Sequence, residues 1–468
     1  MQQSSKNDFM KIRRAFLAGA ILTLVATGCE QTDRLQDRFR DLTSYEAYHQ
    51  SLSEVGLAET ALGRDWLAAG LIAVENAAPV SLPFEEQGFL TAETPDAAAY
   101  RIRLGRGQKL KVEVTLKSGN DMRVFVDLFR IPASPDHPMR PVSSTDTVPS
   151  IFVHEPWRGG DYILRVQPEL LRAGEYRVTL RLEAQLAFPV DGSDMRAAQS
   201  LFGVAREGGR RSHEGIDIFA RRGTPVLATS AGTINRVSVT NLGGNVVWLR
   251  DPVRNANIYF AHLDSQAVQN GDRVQVGDTL GFVGNTGNAR TTPPHLHFGI
   301  YRRGEGAVDP APFIRPVPKG RPVNQSTDLG RLGSTVRLRH DGIRLRAAPG
   351  RDGPVIRELA KHTLVRVHAA SADYFRVRLP DGMGGYIASR LTEDATTPLG
   401  RQTIRTSGTI VQTAPEISAP AVAQLRHGTE VSILGRFDGY LYVRGPNGAP
   451  VWLKDQELHE QSRGGLQK

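Results

Sequence analysis

The residues of this chain best suited to chemistry are four histidines and one aspartate between positions 213 and 297. In Ser212-His213-Glu214-Gly215-Ile216-Asp217 an imidazole and a carboxylate stand four positions apart. On a helix that spacing would put both on one face. Gly215, the β-branched Ile216 and Ile218, and Pro225 argue against a helix here. In a straight strand the pair would lie about 13 Å apart, too far to share one metal ion at about 2 Å from each ligand. The backbone is therefore expected to bend at Glu214-Gly215, where glycine permits it. In His295-Leu296-His297 the two rings of a strand would point to the same face, about 6.6 Å apart. One of them can hold a metal while the other faces a substrate, and the spacing does not say which. His262, in Tyr259-Phe260-Ala261-His262-Leu263, ends an alternating strand.

Two histidines and a carboxylate are ligands suited to zinc. Three protein ligands leave a fourth position for water, the arrangement of a catalytic zinc, and two histidines remain to move protons. The chain has one cysteine, Cys29, which excludes an intramolecular disulfide and a cysteine-built zinc site. A phosphate-cradling loop and a Gly-x-Ser-x-Gly nucleophile elbow are both missing.

The elements around these residues read as mainly β. Glycine (47) and proline (28) are abundant in the 468 residues, so turns are frequent. Beyond the N-terminus no apolar run approaches the roughly 20 residues of a spanning helix, which excludes a multi-pass membrane protein. Residues 1–28 read as a signal peptide: Lys11, Arg13 and Arg14 precede a short apolar stretch ending in Ala26-Thr27-Gly28-Cys29, which resembles a bacterial lipobox with Cys29 as the lipidated residue. Residues 29–81 read as a polar tether, over 30–50, followed by one or two short helices over 51–76. From 82 to 186 the period is two, as in Tyr100, Ile102 and Leu104, or Leu110, Val112 and Val114, which predicts an antiparallel β-sandwich. Residues 187–316 hold the histidines, and 317–333 form a Pro/Gly/Arg-rich linker. The segments 334–394 and 401–458 repeat with a gapless offset of 66: Ala348-Pro349 matches Ala414-Pro415, Tyr374 matches Tyr440, and Tyr386 matches Trp452. Each is the size of a small barrel. Leu345-Arg346-Ala347-Ala348-Pro349 with Gly385-Tyr386-Ile387 resembles bacterial SH3-like domains, which commonly bind cell wall. Tyr386 and Trp452 are expected either to stack on sugar or peptide or to fill the barrel core.

Residues 187–316 resemble the lysostaphin/LytM-type zinc metallopeptidases. The resemblance is carried by His213 to Asp217 in His-Glu-Gly-Ile-Asp-Ile, by Phe260-Ala261-His262-Leu263, by Gly284-Asn285-Thr286-Gly287 and by Pro294-His295-Leu296-His297-Phe298. It implies an antiparallel β domain with a groove, in which His213, Asp217 and His297 bind Zn2+ while His262 and His295 act on substrate and water. The implied activity is a zinc metalloendopeptidase that cleaves peptide bonds of peptidoglycan stems or cross-links by a zinc-activated water. Some relatives lack ligands and only activate other wall enzymes; here all five positions are intact.

Net charge is +9, which suits nucleic acid, anionic lipid or an anionic polymer. An exported chain does not meet chromosomal DNA or RNA, so the expected partners are peptidoglycan and, through Cys29, a membrane, with no nucleic acid and no evident protein partner. Glu30 after Cys29, by resemblance to enterobacterial sorting, implies a periplasm-facing envelope lipoprotein, in the outer membrane if the cell has one. Two rival readings are a non-catalytic wall-binding activator of another hydrolase and an enzyme acting on protein substrates.

Overall fold

A computed structural model describes residues 41–455 apart from 93–94, 118–121, 318–326 and 446–447. The expected signal peptide, Cys29, the start of the expected tether and most of the expected 317–333 linker lie outside the described residues. The chain divides into two units at Thr60/Ala61. In the first, helix α1 (Ser44–Glu54) begins earlier than the expected tether allows. The cause is a capping box: the Thr43 hydroxyl accepts from the Glu46 amide at 3.2 Å, and the Glu46 carboxylate accepts from the Thr43 amide at 2.8 Å.

The second unit is β-rich after helix α2 (Ala61–Glu75). The expected sandwich is present. One sheet contains the strands 98–104, 160–168, 124–130 and 140–145; the other contains 108–116, 150–154, β1 (Phe84–Leu90) and β2 (Gly174–Ala184). Between them lies a core that includes Tyr100, Ile102, Val112, Val114, Leu164 and Val178. The period-two residues thus point inward as the alternation requires. The first of these sheets ends in the edge strand Arg140–Thr145.

The histidine-bearing region is a ten-stranded, largely antiparallel sheet. Its central strands are β3 (Ile216–Phe219), β4 (Gly244–Asp251), β5 (Ala256–Gln266) and β6 (His295–Arg302), in the spatial order β3-β6-β5-β4. One face packs Ile216, Ile218, Phe260, Leu263, Leu296, Phe298 and Ile300 into a core. The sandwich docks on one end of these strands. Arg254 donates to the Gln185 carbonyl at 2.8 Å and pairs with Glu155, and Trp157 packs on Phe313 with ring centroids 4.8 Å apart. His262 and His295 lie toward the opposite strand ends, so the sandwich leaves the histidine end open.

The repeat is also visible in the strands. In the first copy 343–346, 355–359, 364–371, 374–378 and 384–388 are strands, and in the second 409–412, 421–425, 430–437, 440–444 and 450–454 are strands. Tyr386 is 1% exposed and Trp452 7% exposed, so both are core residues and neither offers a stacking face. The sequence did not foreshadow how the first copy attaches. Its strand β7 (Leu364–Ser371) pairs antiparallel with β1, Gln87 opposite Ala370 and Gly88 opposite Ala369, so one sheet runs from the sandwich into the barrel.

Candidate metal centre

The groove face of the sheet carries the site. Asp217 on β3 lies directly opposite His297 on β6, and Phe219 opposite His295, which puts both histidines of the His-x-His segment beside the aspartate strand. His213 precedes β3 and returns over it. Its backbone amide donates to the Val204 carbonyl at 2.9 Å, and the chain then bends at Gly215, within the Glu214-Gly215 step expected. Glycine is needed there for clearance. A Cβ on Gly215 would stand 2.5 Å from the Phe298 carbonyl oxygen and 2.8 Å from Cε1 and Nε2 of His297.

His262 reaches the groove by a different device. Phe260 and Leu263 on β5 both face the core, although their odd spacing would put them on opposite faces of a regular strand. The ladder with β4 shifts register at this point, and His262 has φ 62°. This bulge turns its ring to the groove face; a left-handed non-glycine residue held by the surrounding structure is a usual mark of a functional site.

Three candidate ligand atoms converge. His213 Nε2 is 3.1 Å from Asp217 Oδ1 and 3.0 Å from His297 Nδ1, and His297 Nδ1 is 3.0 Å from Asp217 Oδ1. Donor atoms at about 2.0–2.1 Å from a tetrahedral zinc are about 3.3 Å apart, so this triangle fits the ion closely. The protonation pattern fits as well. Nδ1 of His213 is 2.9 Å from the Leu201 carbonyl, which only accepts, so that nitrogen carries the proton and Nε2 keeps its lone pair for the centre. Among the described residues this is the one group of three or more His, Cys, Asp or Glu side chains placed to hold a metal.

The other two histidines share one tautomer. Nδ1 of His262 donates to the Thr286 carbonyl at 2.9 Å, and Nδ1 of His295 donates to the Pro293 carbonyl at 2.9 Å. In the neutral form of each ring the lone pair is therefore on Nε2. Their ring centroids are 5.1 Å apart, and His295 Nε2 is 4.0 Å from Asp217 Oδ1. Burial and then the neighbouring His295 and His297 push the pKa of His262 down to about 4, which keeps it a neutral base at physiological pH. Burial lowers His297 too. Burial alone would raise the Asp217 carboxyl, but its hydrogen bonds with His213 and His297 hold it well below the usual carboxylate range.

These five residues line a cavity of about 650 Å³ whose walls come entirely from residues 200–301. Sequence reasoning missed several wall residues. Trp248, Tyr259 and Tyr301 form an aromatic flank, with Trp248 and Tyr259 centroids 4.4 Å apart, and Arg206 stands over Asp217. Tyr259 and Tyr301 follow the groove-face parity of Ala261 and His297, a signal that was available; Arg206 lies on a two-residue strand of a Gly/Arg-rich hairpin, too short to show a period, and had none.

Residues 211–310 match the model of Peptidase family M23, and residues 341–393 match the model of the Bacterial SH3 domain. Residues 211–310 are therefore similar to peptidase family M23. Over 140 residues it is 39% identical to the L-Ala–D-Glu endopeptidase of Bacillus subtilis, covering 28% of this chain and 43% of that protein. Over 112 residues it is 36% identical to the peptidoglycan DD-endopeptidase ShyC of Vibrio cholerae, covering 22% and 24%. Over 121 residues it is 36% identical to the glycyl-glycine endopeptidase ALE-1 of Staphylococcus capitis, covering 25% and 33%. The chain thus spans less than half the length of these relatives. Each is named for a different bond, so likeness to the M23 domain alone does not select one.

Proposed function

We propose that this protein is a zinc-dependent endopeptidase that cleaves peptide bonds in the stems or cross-links of peptidoglycan. The observation that carries the reading is the convergence of His213 Nε2, Asp217 Oδ1 and His297 Nδ1 within 3.1 Å, in a cavity that is also lined by His262 and His295. His213, Asp217 and His297 would hold the ion. Zn2+, when bound, supplies Lewis acidity toward the scissile carbonyl and toward water.

The chain's own part follows from its tautomers. The bare Nε2 atoms of His262 and His295 face the cavity, and one of them removes a proton from the attacking water. The imidazolium so formed returns a proton to the leaving amine and stabilises negative charge on the carbonyl oxygen. The Thr286 and Pro293 carbonyls fix each ring so that Nε2, and not Nδ1, does this work. The aromatic flank excludes water from one side of the groove and gives an extended peptide a surface to lie on.

In this reading the protein is a lipoprotein anchored through Cys29, facing the periplasm, and its barrels bind wall. The tether confines the enzyme near an insoluble substrate and raises its effective concentration there. A Cys29→Ser variant is expected to incorporate no labelled fatty acid. The activity is tested by incubating purified sacculi with the protein and analysing released muropeptides by mass spectrometry, beside zinc per chain by elemental analysis. The reading expects about one zinc and soluble cleaved peptides, and the mass of the products names the bond. Wall left intact by a zinc-loaded protein would overturn it in favour of a wall-binding activator.

A further inference from the structure

The carboxylate of Asp217 has two oxygens with different company. Oδ1 faces His213 Nε2 and His297 Nδ1 at 3.1 and 3.0 Å. Oδ2 accepts from Nη2 of Arg206 at 2.6 Å, a short charge-assisted bond. The same Nη2 donates to Ser200 Oγ at 2.6 Å and lies 3.2 Å from Nδ1 of His213. Ser200 pairs in the sheet with Asp217, and the next residue, Leu201, supplies the carbonyl that fixes the His213 ring. One short segment, 200–206, therefore orients two of the three ligands.

We propose that Arg206 is a positioning residue of the metal centre: by occupying Oδ2 it presents Asp217 through Oδ1 alone, and so sets the coordination number and the tightness with which zinc is held. The proposal rests on the zinc reading above. An ionised carboxylate left free at both oxygens can swing to present both to a cation. With Oδ2 taken by a guanidinium it cannot, and the fourth position stays open for water and substrate, as a catalytic site requires. The guanidinium also neutralises the one formal negative charge among the three ligands, whose side chain is only 8% exposed. Arg206 itself is 35% exposed on the groove wall, so shortening it opens no core cavity. Because a single nitrogen makes both hydrogen bonds, to Asp217 Oδ2 and Ser200 Oγ, a lysine ammonium can replace it.

The test uses the full-length protein and Arg206→Met, Arg206→Lys and Ser200→Ala. Zinc affinity is read by competition with a chelator, coordination by the visible absorption of the Co2+-loaded protein, and folding by thermal unfolding of the metal-free forms. Arg206→Met is expected to weaken zinc by about 10- to 100-fold, the usual effect of losing an outer partner of a ligand. It is also expected to reduce the intense four-coordinate Co2+ absorption as Asp217 takes up a second bond. Arg206→Lys is expected to recover most of the affinity, and Ser200→Ala to lose less than Arg206→Met in the same direction. The proposal is overturned if Arg206→Met holds zinc as tightly as the wild type with an unchanged Co2+ spectrum. It is also overturned if Arg206→Lys loses as much as Arg206→Met, or if the affinity loss is matched by melting of the metal-free protein, which would make Arg206 merely structural. A wild-type protein that binds no zinc would bring down the metal reading and this one together; a zinc-binding wild type with an unaffected Arg206→Met brings down this one alone.

Discussion

Gly215 stands between two candidate ligands, and the space its missing side chain would need is filled by the Phe298 carbonyl and the ring of His297. Gly215→Ala is therefore expected to push His297 away from Asp217, destabilise the fold by about 1–3 kcal/mol, as overpacking does, and reduce zinc content. Denaturant unfolding and elemental analysis check this. The five site residues are expected to fall into two classes. His213→Ala, Asp217→Ala and His297→Ala each remove one corner of a triangle whose sides are 3.0–3.1 Å, and should lose metal and activity together. His262→Ala and His295→Ala leave the triangle whole. They should retain zinc and lose roughly 10²–10⁴-fold in rate, the usual size of an acid–base contribution. Zinc per chain measured beside hydrolysis of wall for all five variants separates the classes. Loss of zinc from His295→Ala but not from His297→Ala would reverse the assignment.

At the scale of elements, the pairing of β1 with β7 turns a sandwich and a barrel into one continuous sheet. The seam is polar and buried. Glu86 on β1 is 0% exposed; it accepts from the hydroxyls of Tyr100 at 2.7 Å and Tyr386 at 2.9 Å and pairs with Arg376 at 3.1 Å, while Arg376 also donates to the Tyr176 hydroxyl at 2.7 Å. Removing one partner of a buried ion pair strands the other, at a cost of about 3–5 kcal/mol. Arg376→Met is expected to lower stability by that amount, measured by denaturant unfolding. The same seam bears on truncation. Deleting 334–468 spares all five site residues, yet it uncovers the edge of β1 and leaves Glu86 without its cation. Such a protein is expected to unfold at lower denaturant than the intact chain, so weakened wall binding by it would not isolate a role for the barrels.

Across the whole molecule, the seam also makes stability depend on pH. His368 donates from Nδ1 to Asp96 at 2.7 Å, and Arg378 donates to the other oxygen of the same carboxylate at 2.7 Å. Burial lowers the pKa of His368 below its ordinary 6.5; the Asp96 carboxylate opposes this, Arg378 and Arg376 add to it, and the net shift is downward. Burial alone would raise the Asp96 carboxyl, but His368 and Arg378 hold it well below the usual range. The signs follow. Below about pH 6.5 the unfolded chain takes up a proton at His368 that the folded chain refuses, so stability falls as pH falls, by up to about 1.4 kcal/mol per pH unit for one such group. Asp96 contributes stability that is lost only in strong acid. His368→Gln keeps a donor for Asp96 and removes the titration, and its denaturation midpoint is expected to fall less between pH 7.5 and 5.5 than that of the wild type. An equal fall in both proteins would show that other groups set the pH dependence.

Local patterning settled much of this protein without coordinates. Period-two alternation is enough to define the strands of the sandwich, because one buried face admits only one parity, and Phe298 and His297 take opposite faces of β6 for the same reason. A gapless repeat is enough to define two copies of one strand pattern. The five residue types of the site, and the bend between His213 and Asp217, were also legible, since metal ligation restricts both chemistry and reach. What was not legible depends on contacts between distant segments. The different placing of His295 and His297 was one such case: cross-strand register sets Asp217 opposite His297 and brings its Nδ1 within 3.0 Å of Oδ1. The bulge at His262 depends on how β5 meets β4. Tyr386 became core because Glu86, 300 residues away in sequence, needed its hydroxyl. Arg206 became part of the centre because a loop folds back onto β3. In each of these the deciding energy lies in a pairing across the chain, and no local period records which partner a residue meets.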